Sequence, residues 1–139
     1  MIKPMLKKKT KRSQTVGFWS RKADKKFQEI GREMYEEKGC LICGGKYSCL
    51  HHVFTKASCT HLRYNWKNVI PICVGCHFKI HGSEPVNVKS LMDIVIDLKG
   101  EDWYEELKRE RNKHLYTKAG YKYYENMFNN LSKITPYIV

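Results

Sequence analysis

Ala23, Phe27, Ile30 and Met34 recur at three- and four-residue steps, the spacing that gathers apolar side chains on one face of a helix. Ser20 stands ahead of them as a capping residue and Gly39 behind them as a stop, which predicts an amphipathic helix over about 21–38. The period then changes. Tyr47 to Val53 is β-branched and aromatic, is bounded by Gly44-Gly45, and predicts a short strand. A polar loop over roughly 54–66 leads to a second strand, Val69-Ile-Pro-Ile72, whose proline confines it to a sheet edge. Cys73 to His81 reads as a turn entering a short helix that Gly82 ends. Leu91, Ile94, Val95 and Leu98 form another helical stripe stopped by Gly100. Trp103 and Leu107 begin a further segment, and Tyr124, Met127, Phe128 and Leu131 one more. Two short strands among helices make this an α+β chain.

Length and charge add a partner to that outline. At 139 residues the chain is the size of one compact domain. Of its formal charge of +12, the first 26 residues carry ten basic side chains and one acid, Asp24. So concentrated an excess points to a polyanion, nucleic acid or an anionic membrane, because Lys and Arg release counterions condensed on phosphates. The longest apolar run, Val69 to Val74, is far below the ~20 residues of a spanning helix. The basic N-terminus lacks the apolar stretch and small-residue cleavage site of a secretory signal, so a reducing cytoplasm is the expected location. Residues 1–19 show no periodicity and are expected to form a flexible basic arm, read either as a solvated tail or as a DNA-contacting segment. Residues 20–113 are expected to form the main domain, with 114–139 a helical and aromatic extension packed on it.

In a reducing compartment six cysteines argue for metal ligation over disulfides. Cys40-x2-Cys43 and Cys73-x2-Cys76 are two identical knuckles, each able to grip a tetrahedral ion from one tight turn. A redox or Fe–S site fits two symmetric pairs in a basic chain less well than structural Zn2+. A closed four-thiolate site leaves no position for water, so this ion would hold structure, adding the stabilisation that a small core lacks. Cys49 and Cys59 fall outside the spacing and are expected to be small buried hydrophobes.

Between and beside the knuckles lie His51-His52, Asn68, His77 and His81. His77 and His81 are four apart, on one face of a helix, where two imidazoles can approach one ion. His51 and His52 are adjacent on a strand, point to opposite faces in ideal geometry, and should have different roles unless a bulge intervenes.

The order His-His, Asn, His with thiolate knuckles on either side resembles the HNH (ββα-metal) endonucleases. Within that superfamily the chain is most similar to phage recombination proteins of the NinG/Rap kind, through His61-Leu-Arg-Tyr-Asn65, the run Asn68 to Cys76, and the basic N-terminus. Phage endonuclease VII shares the plan of knuckles around a ββα site. The likeness covers roughly residues 20–110 and is specific over about 40–81. It implies a small zinc-bound ββα-metal core with flanking helices. It also implies His51 and His77 as ligands of a catalytic divalent ion, His52 as general base and Asn68 as the residue fixing the hairpin. His81 matches a third ligand found in some members. His77 stands where the endonuclease VII and NinG types tend to have Asn, which leaves Mg2+, Mn2+ and Zn2+ all open as the catalytic metal.

Such a site would hydrolyse DNA phosphodiesters to 5′-phosphate and 3′-hydroxyl ends. A neutral histidine of pKa ~6.5 can take a proton from water near neutral pH. Arg63 could clamp a phosphate through its planar fork and His61 could assist, although a loop histidine is more often a packing residue. Lys7, Lys8, Lys9, Lys11, Arg12, Arg21, Lys22, Lys56, Arg63 and Lys67 are the expected backbone contacts. His114 is expected to be a surface residue, and the aromatic tail to pack. The expected activity is cleavage of branched or single-stranded DNA in phage recombination, in the host cytoplasm, with no membrane partner. Symmetric cutting would need two active sites and hence a homodimer. The alternatives are a zinc module that binds nucleic acid without cutting, and a site-specific HNH nickase, for which the short chain offers no evident reading domain.

Overall fold

The computed structural model describes residues 11–57, 59–82, 90–113 and 119–134. Helix α1 spans Val16–Tyr35 and begins about five residues earlier than the periodicity predicts, because Thr15 caps it, its side chain accepting from the Phe18 amide at 3.2 Å. Ser20 lies inside the helix and turns its hydroxyl back to the Gly17 carbonyl. The Trp19 indole donates to the Ser13 carbonyl at 2.6 Å and ties the entering turn, Arg12–Gln14, to the helix. The buried face is Ala23, Phe27, Ile30 and Gly31. Past the helix the chain reverses at Gly39, which adopts φ +78°, and a Cβ there would stand 2.5 Å from the Gly45 carbonyl oxygen.

Strands β1 (Cys49–His52) and β2 (Val69–Ile72) form one antiparallel pair, with Cys49 opposite Ile72 and His52 opposite Val69. Leu50 sends its amide and carbonyl away from β2 to the side-chain amide of Gln28 on α1, at 2.9 and 3.1 Å. Its partner across the ladder is Pro71, which therefore has no N–H to supply. The Pro71 carbonyl accepts instead from Leu41 in the first cysteine knuckle at 2.9 Å. Gln28 covers the free edge of β1 and the knuckle covers that of β2.

The sheet is followed directly by α2 (Val74–His81), capped by the Cys73 sulfur and ended at Gly82. Three further helices follow among the described residues: α3 (Leu91–Lys99), α4 (Glu101–Asn112) and α5 (Tyr121–Ser132). Ser90 caps α3, and Gly100 at φ +99° makes the sharp junction to α4. One core joins α1, β1, β2 and α5 through Phe27, Ile30, Tyr47, Leu50, Val69 and Leu131. A second packs Ile70, Ile72 and Val95 against Cys40 and Cys76, so one cysteine of each knuckle belongs to the hydrophobic interior while Cys43 is exposed. Cys59 joins Leu62 and Leu107 in a third. No helix among the described residues is long and apolar enough to cross a membrane.

Candidate functional site

The two knuckles close on each other. β1 and β2 bring the turn after α1 against the start of α2, and the sulfurs of Cys40, Cys43, Cys73 and Cys76 all come within 4.8 Å of one another. Four sulfurs at ~2.3 Å from one tetrahedral ion stand ~3.8 Å apart, and the Cys43–Cys73 separation is 3.5 Å. The donor set and its spacing fit a structural metal such as zinc. Burial opposes ionisation of Cys40, yet backbone contacts from Cys43, Cys73 and Ile42 outweigh it and bring its thiol down to about 7. Burial, and then the neighbouring thiols, push Cys76 up. A cation among the sulfurs would oppose that shift, since it is the thiolate that binds metal.

Beside β1, ring nitrogens of His51, His77 and His81 also lie within 4.8 Å of one another. The α-helical step places His77 and His81 on one face, with their Nε2 atoms 3.0 Å apart. Nitrogens sharing one ion at ~2.1 Å stand ~3–3.5 Å apart, so this donor set also fits a divalent ion. Burial, then the charges of His81, His77 and His52, hold His51 down to about 4, leaving it neutral and ligand-competent at pH 7. The second ring nitrogen of His77, Nδ1, lies 3.6 Å from the Cys49 sulfur. Cys49 is therefore a half-buried neighbour of the histidine cluster as well as a packing residue.

His52 has different partners from His51, as adjacent strand positions require. Its ring lies 5.9 Å from that of Phe27, and its Nε2 is 2.8 Å from the Arg63 carbonyl oxygen. A carbonyl only accepts, so Nε2 carries the proton and, in the neutral ring, Nδ1 is the basic nitrogen. Burial is the largest influence on this imidazole and lowers its pKa. His51, His52, His77 and His81 line one cleft of about 260 Å³, together with Gln28 and Lys56.

Asn68 is fully buried and links the loop to itself: Oδ1 accepts from the Phe54 amide at 2.8 Å, and Nδ2 donates to the carbonyls of Phe54 and Leu62 at 3.0 and 3.1 Å. Arg63 points inward. Its fork grips Asp24 of α1, and its remaining amino group reaches the Tyr124 hydroxyl at 3.4 Å. His61 turns away from the cleft, its Nε2 2.7 Å from the Glu110 carbonyl oxygen.

Of the expected backbone contacts, Lys7, Lys8 and Lys9 lie outside the described residues, as does His114. Lys11, Arg12 and Arg21 are exposed. Lys22 sits 5.0–5.2 Å from the ring centres of Phe18, Trp19 and Phe128. Lys56 approaches Asp24 at 3.6 Å, and Lys67 pairs with Glu106 at 3.4 Å. Sequence reasoning passed over Asp24 and Gln28. Asp24 did carry a signal, as the single acid in a strongly basic stretch, while Gln28 had none, because its partner is backbone.

Fold and sites together define a small α+β protein with a four-cysteine cluster able to hold a structural metal and a separate histidine-lined cleft. The chain belongs to the bacteriophage lambda NinG protein family, whose profile matches residues 3–135. That family is a phage, recombination-related one. No curated protein and no solved structure matches the chain.

Proposed function

We propose that this NinG-family protein is a metal-dependent DNA endonuclease of the HNH type, cutting branched or single-stranded DNA during phage recombination. The observation that carries the reading is one cleft shared by a three-histidine cluster and by His52, whose ring is already held in a single tautomer. The order of elements also supports it: His51 and His52 on β1, Asn68 before β2, and His77 and His81 on the helix that follows.

His51, His77 and His81 would hold the divalent ion, which when bound would polarise the scissile phosphate and neutralise charge on the leaving oxygen. His52 would take a proton from the attacking water at Nδ1 while Nε2–H stays on the Arg63 carbonyl. Asn68 would keep the loop that carries that carbonyl in register with β1. The Cys40, Cys43, Cys73 and Cys76 cluster would lock β2 and α2 together, and with them the spacing of His51 and His77. Exposed Lys11, Arg12 and Arg21, with Lys7, Lys8 and Lys9, would gather DNA through its phosphates.

The test is cleavage of single-stranded, flap, four-way and duplex DNA by the purified protein with Mg2+ or Mn2+. Metal-dependent cutting that EDTA stops and that His52→Ala lowers by about 10²–10⁴-fold is expected for loss of a general base. Full activity in a folded His52→Ala variant removes the base assignment. DNA binding without cutting, across all metals and substrates, leaves a binding module in place of an enzyme.

A further inference from the structure

Asp24, isolated among the bases of the N-terminal stretch, is the centre of a dense polar network apart from the two candidate metal centres. Its Oδ1 accepts from Nε of Arg63 at 2.9 Å and from the Tyr64 hydroxyl at 2.8 Å, its Oδ2 accepts from Nη2 of Arg63, and the Lys56 ammonium stands 3.6 Å away. Rings of Tyr64 and Tyr124 flank the guanidinium, with centres 5.9 and 5.2 Å from its central carbon, and the Arg63 side chain is only 16% exposed. An arginine so enclosed cannot meet a phosphate without first abandoning its carboxylate. What Arg63 does offer the cleft is its backbone carbonyl, the group that holds His52.

We propose that Asp24 is a positioning residue for His52: by gripping the Arg63 side chain from α1, it sets the peptide whose carbonyl holds the imidazole with its proton on Nε2. This rests on the reading of His52 as the base. The residue has two tethers at opposite ends. Through its side chain it is bound to α1, and through its carbonyl to β1, so a shift of the loop relative to α1 is a shift of the base. The short turn Thr60–Leu62 just before it supplies one further restraint, the Arg63 amide on the Thr60 carbonyl at 3.2 Å. Replacing Asp24 by Asn puts an amide donor against Nη2 of Arg63 and leaves two cations, Arg63 and Lys56, without their shared counter-charge. The geometry of the fork is then lost while the volume of the side chain is kept.

The experiment compares wild type with Asp24→Asn, Asp24→Glu and Tyr64→Phe by DNA cleavage and by 15N–1H multiple-bond correlation spectra of the His52 ring, recorded where His52 is neutral. A displacement of ~1 Å in a reacting group can cost ~10²-fold, so kcat in Asp24→Asn is expected to fall about 10–100-fold with KM nearly unchanged. Asp24→Glu should recover part of that loss. Tyr64→Phe, which leaves the Arg63 fork intact, should stay near wild type. In the spectra, wild type should show Nε2 protonated, and Asp24→Asn a mixture of tautomers with an otherwise native amide spectrum. A folded Asp24→Asn variant with the wild-type tautomer and wild-type kcat overturns the proposal. If the wild type cuts no DNA, the nuclease reading fails, and the tautomer spectra alone decide whether Asp24 positions His52. If Asp24→Asn does not fold, Arg63→Lys replaces it, since Lys keeps the charge but lacks the fork, and an unchanged His52 tautomer in that variant is equally fatal.

Discussion

The Nε2 atoms of His77 and His81 lie 3.0 Å apart on successive turns of α2, and a nitrogen of His51 on β1 completes the trio within 4.8 Å. Two neutral imidazoles on adjacent turns gain little from each other beyond one N–H···N bond, whereas three converging nitrogens match the donor set of a divalent ion. Titration calorimetry with Mn2+ should therefore find a site that His77→Ala and His81→Ala each weaken by at least ~10-fold, the scale at which even supporting groups around a metal act. Unchanged affinity in both variants would show that the cluster holds no ion.

Cys40 and Cys76 sit in the core beside Ile70, Ile72 and Val95, with Cys73 half-buried and Cys43 exposed, so a metal held by the four should be linked to folding. Elemental analysis should find one zinc per chain that survives EDTA concentrations sufficient to stop cleavage. Structural zinc sites contribute about 10–16 kcal/mol in small peptides at neutral pH, and Cys43→Ser should release the ion and collapse the near-UV circular dichroism. A zinc-free Cys43→Ser protein with native near-UV signal would contradict a structural role.

Asn68 satisfies one amide and two carbonyls from a fully buried position. Asn68→Ala strands these backbone groups and opens a cavity, which should cost on the order of 3 kcal/mol in urea unfolding. A loss within about 0.5 kcal/mol, the scatter of ordinary surface changes, would mean that water replaces the side chain without penalty.

Burial alone would raise the Asp24 pKa, but the hydrogen bonds from Arg63 and Tyr64 outweigh it and the carboxyl is lowered. A carboxyl depressed in the folded state contributes stability that is fully present above its unfolded pKa of ~3.9 and is lost as pH falls through the lower folded value. Acid unfolding of wild type should therefore steepen below about pH 4, and Asp24→Asn should be less stable at pH 7 and flatter through that acid range. Parallel stability curves for the two proteins would show that the Asp24 carboxylate is not linked to folding.

Gly39 turns the chain between α1 and the first knuckle at φ +78°. Gly39→Ala meets both the left-handed backbone penalty of ~1–2 kcal/mol and the Gly45 carbonyl, so it should destabilise by more than that penalty and weaken zinc retention. Gly44→Ala shares the positive φ but meets no atom within 4 Å, so the difference between the two variants in thermal unfolding isolates the steric part.

Helices α2 to α5 and both strands were legible in order from periodicity and turn residues, because each depends on which face of a short segment must be buried. The start of α1 was not: Thr15 and Ser20 are both capping types, Ser if anything the better one, and the bond from the Phe18 amide to the Thr15 hydroxyl is settled only by how the chain enters the helix. The cysteine quartet was legible because two residues of spacing is a property of the chain itself. His77 and His81 sharing one face was legible for the same reason.

Long-range pairing was not. The sequence by itself determined the elements, the knuckles and the supply of imidazoles. Only the tertiary structure decided that Arg63, which by type suits a phosphate, faces inward to a carboxylate 39 residues away, that His61 bonds to α4, and that His52 is held by a carbonyl. Local geometry follows from backbone stereochemistry and burial within a few residues, whereas these contacts depend on how α1, the loop and α5 dock. Docking is set by the volume and charge of all three surfaces together, which no segment carries alone.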